Sequence, residues 1–181
     1  MGSVDQQGTG KTLLLLGGSK QQVVAIETAK RLGYRAVLCD YLPDNPGQYS
    51  ADIFYQTSTT DREAVLDVAR KESVNGVLAY ASDPAAPTAA YVAEKLGLPG
   101  NPLKSVEILS EKHLFRRHLR AAGLPCPRAA SFNVDATSEQ VLALVEGFRW
   151  PIVVKPTDSS GSKGVSVVRH ETDLSAALEA A

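Results

Sequence analysis

Cysteine is scarce in this chain: 181 residues contain two, Cys39 and Cys126, far apart in sequence. That excludes a disulfide framework and a cysteine-based metal site, and fits small buried apolar residues in a reducing compartment. An excess of charge is lacking too. Nineteen Lys and Arg face twenty Asp and Glu, a formal net charge of -1, so no bulk attraction to nucleic acid or to an anionic membrane is expected. Any phosphate chemistry must come from local placement of cations. Hydrophobic residues make up 44% of the chain but fall in short runs. None approaches the roughly 20 apolar residues of a membrane-spanning helix. The first run, Thr12 to Leu16, is also shorter than the roughly 7 to 15 apolar residues of a secretory signal. A cytoplasmic location is the resulting expectation.

What the chain does have is an alternation of short apolar runs and helical periodicity. Thr12 to Leu16 reads as a buried strand ending at Gly17-Gly18, and Gln21 to Leu32 as a helix stopped by Gly33. Strands follow at Arg35 to Asp40, Ala51 to Gln56 and Val74 to Tyr80, with helices at Asp61 to Glu72 and Ala85 to Leu96. Strands alternating with helices predict an α/β fold with a parallel sheet covered on both faces, a Rossmann-like domain over residues 12–100. Residues 1–11 read as a flexible polar leader. At Asn101-Pro102 the rhythm breaks, and a second domain over 101–181 is expected. It comprises two successive helices, the second from Glu111 to Ala122 with Ser110 as cap, then a strand at Arg128 to Asn133 and a helix at Ser138 to Gly147. Two β-rich runs and a last helix, Asp173 to Ala181, complete it.

Three stretches invite a phosphate. GTGKT, Gly8 to Thr12, has the tail of a P-loop, but the motif's first glycine falls on Asp5, no apolar run precedes it, and a strand rather than a helix follows. The stretch is therefore read as leader. Gly17-Gly18-Ser19 is better placed, after a strand and before a helix, with Asp40 ending the next strand where dinucleotide folds keep a ribose-binding acid. The fingerprint is incomplete, and a tight turn needing backbone freedom explains the glycines equally. Because ligands of such folds bind at the carboxyl ends of the strands, Gly17, Gly18, Ser19, Ser82 and Asp83 are candidates for lining a substrate cleft.

The third stretch is IVVKPTDSSGSKGVSVV, from Ile152. A β-branched strand brings Lys155 to its end, Pro156 stops ladder pairing, and Thr157 to Lys163 form a loop of small polar residues before a strand at Val165 to Val168. Amides and hydroxyls of such a loop can turn inward around an anion, with Lys155 and Lys163 supplying charge. By composition alone a solvated Gly/Ser hairpin loop accounts for it as well.

IVVKPTDSSGSKGVSVV resembles the glycine-rich hairpin of the ATP-grasp superfamily, and SEKHLFRRHLRAAGLPCPRAASF resembles the segment that opens the same domain. The α/β unit before them is similar to the family's pre-ATP-grasp domain, so the chain reads as that domain followed by an incomplete α+β ATP-grasp subdomain. The loop variant is most similar to carbamoyl-phosphate-synthase-type and amino-acid-ligase-like members. The resemblance implies ATP as the ligand, held by Lys112 and Lys155 with Ser159, Ser160, Gly161, Ser162, Lys163 and Gly164 as a lid. Arg116, Arg117 and Arg120 read as the solvated face of their helix.

The family's adenine-reading hinge strand and its Mg²⁺ ligands would lie downstream of Ala181, so the chain is read as a fragment that does not catalyse ligation alone. No metal ligand is assigned within it, Asp158 included. For the intact protein the resemblance implies ATP-dependent joining of a small-molecule carboxylate to an amine, without nucleic acid or membrane partners and compatible with a homo-oligomer. Two other readings stay open: a non-catalytic nucleotide-binding or regulatory module, and a dinucleotide-binding Rossmann protein.

Overall fold

The structure is a computed structural model and describes residues 10–157, 159 and 161–181. The chain divides into two compact units, one running to Glu107 and the other from Ile108. Each is described by itself.

The first unit begins with β1 (Thr12–Leu16), α1 (Val23–Arg31) and β2 (Arg35–Asp40). A 3₁₀ turn, Pro46–Tyr49, leads to β3 (Ile53–Gln56), α2 (Arg62–Lys71), β4 (Gly76–Leu78) and α3 (Ala86–Leu96). Among the described residues these strands form one four-stranded sheet in the order β3-β2-β1-β4, with every pairing parallel. That order reverses direction between β1 and β4, which makes the carboxyl ends of those two strands the topological switch point.

Period-two alternation sends each strand's side chains to both faces. Leu14, Leu16, Val37 and Cys39 share a core with Val65, Leu66, Val68 and Ala69 of α2 and Val92 of α3. Leu15, Ala36 and Leu38 pack instead with Ile26 of α1. The sheet is thus covered on both faces, as parallel sheets require. Cys39 sits inside as a small apolar residue, and burial, aided by the charge of Asp40, pushes its thiol up to about 12. Asp61 caps α2 by accepting from the Ala64 amide at 3.1 Å, and Gly97 closes α3 in the left-handed conformation.

The eight-residue α4 (Leu103–Ser110) carries the chain from one unit into the next. The second unit holds α5 (Lys112–Ala121), α6 (Ser138–Leu144), β5 (Ile152–Val154), β6 (Ser166–Val168) and α7 (Leu174–Ala180). Glu111, rather than Ser110, occupies the cap position of α5, because Ser110 ends the preceding helix. A capping box starts α6: the Thr137 hydroxyl accepts from the Gln140 amide, and the Gln140 side chain accepts from the Thr137 amide. β5 and β6 pair antiparallel with Val153 opposite Val167. Their inner face packs Val154 and Val168 against Val141, Leu174 and Ala177.

The strand expected at Arg128 to Asn133 does not form; residues 124–137 run as an irregular strap. A strand exists through a neighbour that pairs with it, and none among the described residues does. The strap is held by side chains instead. Arg120 donates to Ala129 O at 3.0 Å, and Arg128 donates to Gly147 O at 2.7 Å while lying over the Phe148 ring.

Candidate functional site

Two places in the fold answer to the sequence-predicted residues, one in each unit. In the first, Gly17, Gly18 and Ser19 follow β1 and Ser82 and Asp83 follow β4, so the candidate substrate residues meet at the switch point. Gln22, which sequence reasoning missed, joins the two groups. It is 6% exposed, and its Oε1 accepts from the amide and hydroxyl of Ser19, both at 2.8 Å. Its Nε2 donates to Leu16 O at 3.4 Å and to Tyr80 O at 3.1 Å. Ala81, next in the chain, takes a positive φ of 51°, a conformation that costs a non-glycine residue about 1 kcal/mol or more.

The amides of Gly17, Gly18 and Ser19 are engaged from within. Gly17 N–H donates to Cys39 O at 2.9 Å, Gly18 N–H to Asp40 Oδ2 at 2.6 Å, and Ser19 N–H to Gln22 Oε1. Asp40, also buried, uses its other oxygen to accept from Leu42 N–H at 2.8 Å. In a dinucleotide site these are the donors that hold the pyrophosphate. Here the Asp40 carboxylate and the Gln22 carboxamide accept from Gly18 and Ser19 in the pyrophosphate's place, which disfavours the dinucleotide reading and gives Asp40 the task of fastening the turn.

The same turn is braced from a third side. Asn45, 2% exposed, donates to Leu42 O at 2.9 Å and accepts from Gln48 N–H at 3.0 Å. Gly47 N–H donates to Gly18 O at 2.7 Å, an approach so close that a Cβ on Gly47 would stand 2.7 Å from Gly18 Cα. Gly17 and Gly18 are buried, whereas Ser19 and Asp83 are exposed and Ser82 is half-buried. The exposed Tyr80 and Tyr41 border the same strand ends.

The second place is the loop between β5 and β6. Lys155 continues β5 and is exposed; by alternation it shares a side with Val153. Lys112, the first residue of α5, reaches the same loop: its N–H donates to Thr157 O at 3.3 Å, and its ammonium donates to Thr157 O at 3.4 Å and to Ser159 O. The fold therefore brings Lys112 to the start of the loop that follows Lys155. Gly161, Ser162 and Gly164 have φ values of 66°, 61° and 67°, so the loop turns repeatedly through the left-handed region. The Ser159 hydroxyl donates to Lys163 O at 3.2 Å. Lys163 is exposed, and Ser160 and Asp158 lie outside the described residues.

Elsewhere the candidates of the sequence separate. Lys11, the lysine of the P-loop-like stretch, precedes β1, and Thr12 starts a strand where a P-loop needs a helix; residues 1–9 lie outside the described part. Of the three arginines of α5 expected on its solvated face, Arg117 and Arg120 are exposed and Arg116 is half-buried. Among the described residues no group of three or more His, Cys, Asp or Glu is placed to hold a metal ion. No described helix is long and apolar enough to cross a membrane.

A Rossmann-like parallel unit followed by a glycine-rich hairpin is an architecture similar to the N-terminal portions of ATP-grasp ligases. Residues 111–181 match the family described as carbamoyl-phosphate synthase L chain, ATP binding domain. The relatives and solved structures that it matches are ATP-grasp ligases. It is 36% identical over 171 residues to a formate-dependent phosphoribosylglycinamide formyltransferase of Synechococcus sp. (strain WH7803), an alignment covering 94% of this chain and 43% of that protein. It is 27% identical over 150 residues to the carbamoyl phosphate synthase large chain of Thermotoga petrophila, covering 78% of this chain and 13% of that one. Among solved structures, the L-amino acid ligase of Bacillus licheniformis superposes with a TM-score of 0.73 at 27% identity, covering 96% of this chain and 42% of that chain. N5-carboxyaminoimidazole synthetase of Staphylococcus aureus, complexed with ADP, shares the fold with a TM-score of 0.72 at 20% identity, over 97% of this chain and 46% of that chain. The chain thus spans under half the length of the relatives that it matches along most of its own.

Proposed function

We propose that this chain supplies the nucleotide-holding hairpin and part of the substrate side of an ATP-dependent ligase that joins a carboxylate to an amine. One observation carries the reading: Lys112 meets the loop at Thr157, two residues beyond Lys155, so both cations serve one small-residue loop. Two ammonium groups suit the charge spread over a phosphoryl group during transfer, where catalysis is chiefly positioning and electrostatic stabilisation. Val153 and Val167, paired across the hairpin and 54% and 58% exposed, offer an apolar platform on the side of Lys155. A purine base against the valines with its phosphates toward the lysines fits that arrangement.

In the ligation the γ-phosphoryl group passes to a carboxylate oxygen, giving an acyl phosphate and ADP. The amine then attacks the acyl carbon, loses a proton and expels phosphate. Lys112, Lys155 and the amides of the described loop residues Ser159 and Gly161 to Gly164 would orient the phosphates, with the Lys163 side chain adding charge. Mg²⁺ would be held by carboxylates outside this chain and would neutralise phosphate charge. Ser19, Ser82 and Asp83, at the switch point of the first unit, are the groups we assign to the substrate.

Calorimetric titration of ATP into the 181-residue chain and into a version extended past Ala181 tests the reading. Lys112→Ala and Lys155→Ala should each weaken binding about tenfold or more, and Lys11→Ala should leave it unchanged. Loss of binding with Lys11→Ala alone would sink the assignment, and tight binding of NAD instead of ATP would favour the dinucleotide reading.

A further inference from the structure

Three hydrogen bonds from Lys112 converge on two main-chain carbonyls at the start of the glycine-rich loop, 45 and 47 residues away in sequence. One comes from its amide and two from its ammonium, which has three donors and no acceptor. Phosphate oxygens carry full charge and form shorter, stronger bonds to an ammonium than neutral carbonyls do. The ammonium that would meet a nucleotide is therefore already engaged in holding the loop.

We propose that Lys112 is a tether: it holds the start of the glycine-rich loop by the Thr157 and Ser159 carbonyls, and arriving phosphates draw its ammonium away from them. The coupling to phosphate rests on the nucleotide reading above; the tether does not. Its consequence is regulatory, because loop order and nucleotide binding draw on one charge. Lys155 serves as the control, since no hydrogen bond from it to these carbonyls is among those that hold the loop.

Amide hydrogen exchange of the nucleotide-free chain distinguishes the possibilities. Lys112→Met should speed exchange of amides in residues 161–165 by about tenfold, the loss of a charge-assisted bond read as local opening. Lys112→Arg should restore most of the protection, Lys155→Met should leave it as in the wild type, and β1 amides should stay protected in all three, which checks folding. Unchanged loop exchange in Lys112→Met overturns the tether, even if ATP binding weakens and the nucleotide reading stands. Faster loop exchange with ATP binding unaffected by either lysine variant keeps the tether and overturns its coupling to nucleotide.

Discussion

The side-chain amide of Gln22 donates to the carbonyl of Tyr80 at 3.1 Å, joining the carboxyl ends of two neighbouring strands across 58 residues of sequence. With its other contacts to Leu16 and Ser19, this one buried side chain ties the turn after β1 to the end of β4.

Gln22→Ala should therefore cost about 2 to 3 kcal/mol, because it strands the Ser19 amide and the Tyr80 carbonyl as well as removing the glutamine. Urea unfolding of variant and wild type measures the difference. A cost below about 0.5 kcal/mol, the range of ordinary surface substitutions, would show that the bridge carries no stability.

Two glycines should respond to alanine very differently. At Gly47 the new Cβ would lie 2.7 Å from Gly18 Cα and 2.9 Å from Ile26 Cδ1, and backbone cannot step aside, so a loss of about 2 kcal/mol or more follows. At Gly97 the φ of 64° is left-handed but the space around it is open, which leaves only conformational strain of about 1 kcal/mol. Thermal unfolding should rank Gly47→Ala below Gly97→Ala; the reverse order would refute the close approach of the two turns.

Acid should weaken the first unit through Asp52. Burial raises its carboxyl, but the hydrogen bonds from Lys30 and the Ala36 amide, both at 2.8 Å, together with the charges of Lys30 and Arg35, outweigh it and the net shift is downward. A carboxyl depressed in the folded state stabilises fully above its unfolded value and loses that contribution as pH falls through the folded one, so the loss begins below about pH 4. Asp52→Asn should flatten the fall in the urea midpoint from about pH 5 to pH 2.5. An unaltered slope in the variant would assign the acid sensitivity elsewhere.

The two thiols should separate in reactivity. Cys39 is buried, with its thiol pushed up to about 12, whereas Cys126 is half-buried in the strap. Since the thiolate is the nucleophile, a thiol reagent at neutral pH should label Cys126 in the folded protein and Cys39 after denaturation. Rapid labelling of Cys39 in native protein would contradict its place in the core.

Much of this architecture was legible because apolar runs and glycines report directly on buried strands and helix ends. β1 and β2 occur over the residues expected, and α2 and α3 within about two residues of the expected bounds. The β5–β6 hairpin was legible from its valines and the small residues between them. Arg128 to Asn133 failed as a strand because alternation states only what a residue can do; pairing needs a partner. Gln22 and Asn45 were invisible for a related reason. Both are polar, one at the start of a helical pattern and the other in a loop, and they owe their burial to partners brought by other strands and loops. Asp40 was noticed for its position, yet its bond to Gly18 shows which of two tasks that position serves. Lys112 was reached through resemblance rather than through its helix, where its spacing says only that it borders an apolar face.

The self-satisfied turn of the first unit also bears on what this scaffold can become. A dinucleotide site is often pictured as one glycine pattern away in any parallel α/β fold. Here the donors at Gly18 and Ser19 are claimed by two separate side chains, Asp40 and Gln22, and Gln22 also secures the end of β4. Freeing them takes at least two substitutions, and the second loosens the neighbouring strand. The first unit is thus locked in evolutionary terms: it can change the groups it displays around the turn far more readily than it can open the turn to a cofactor.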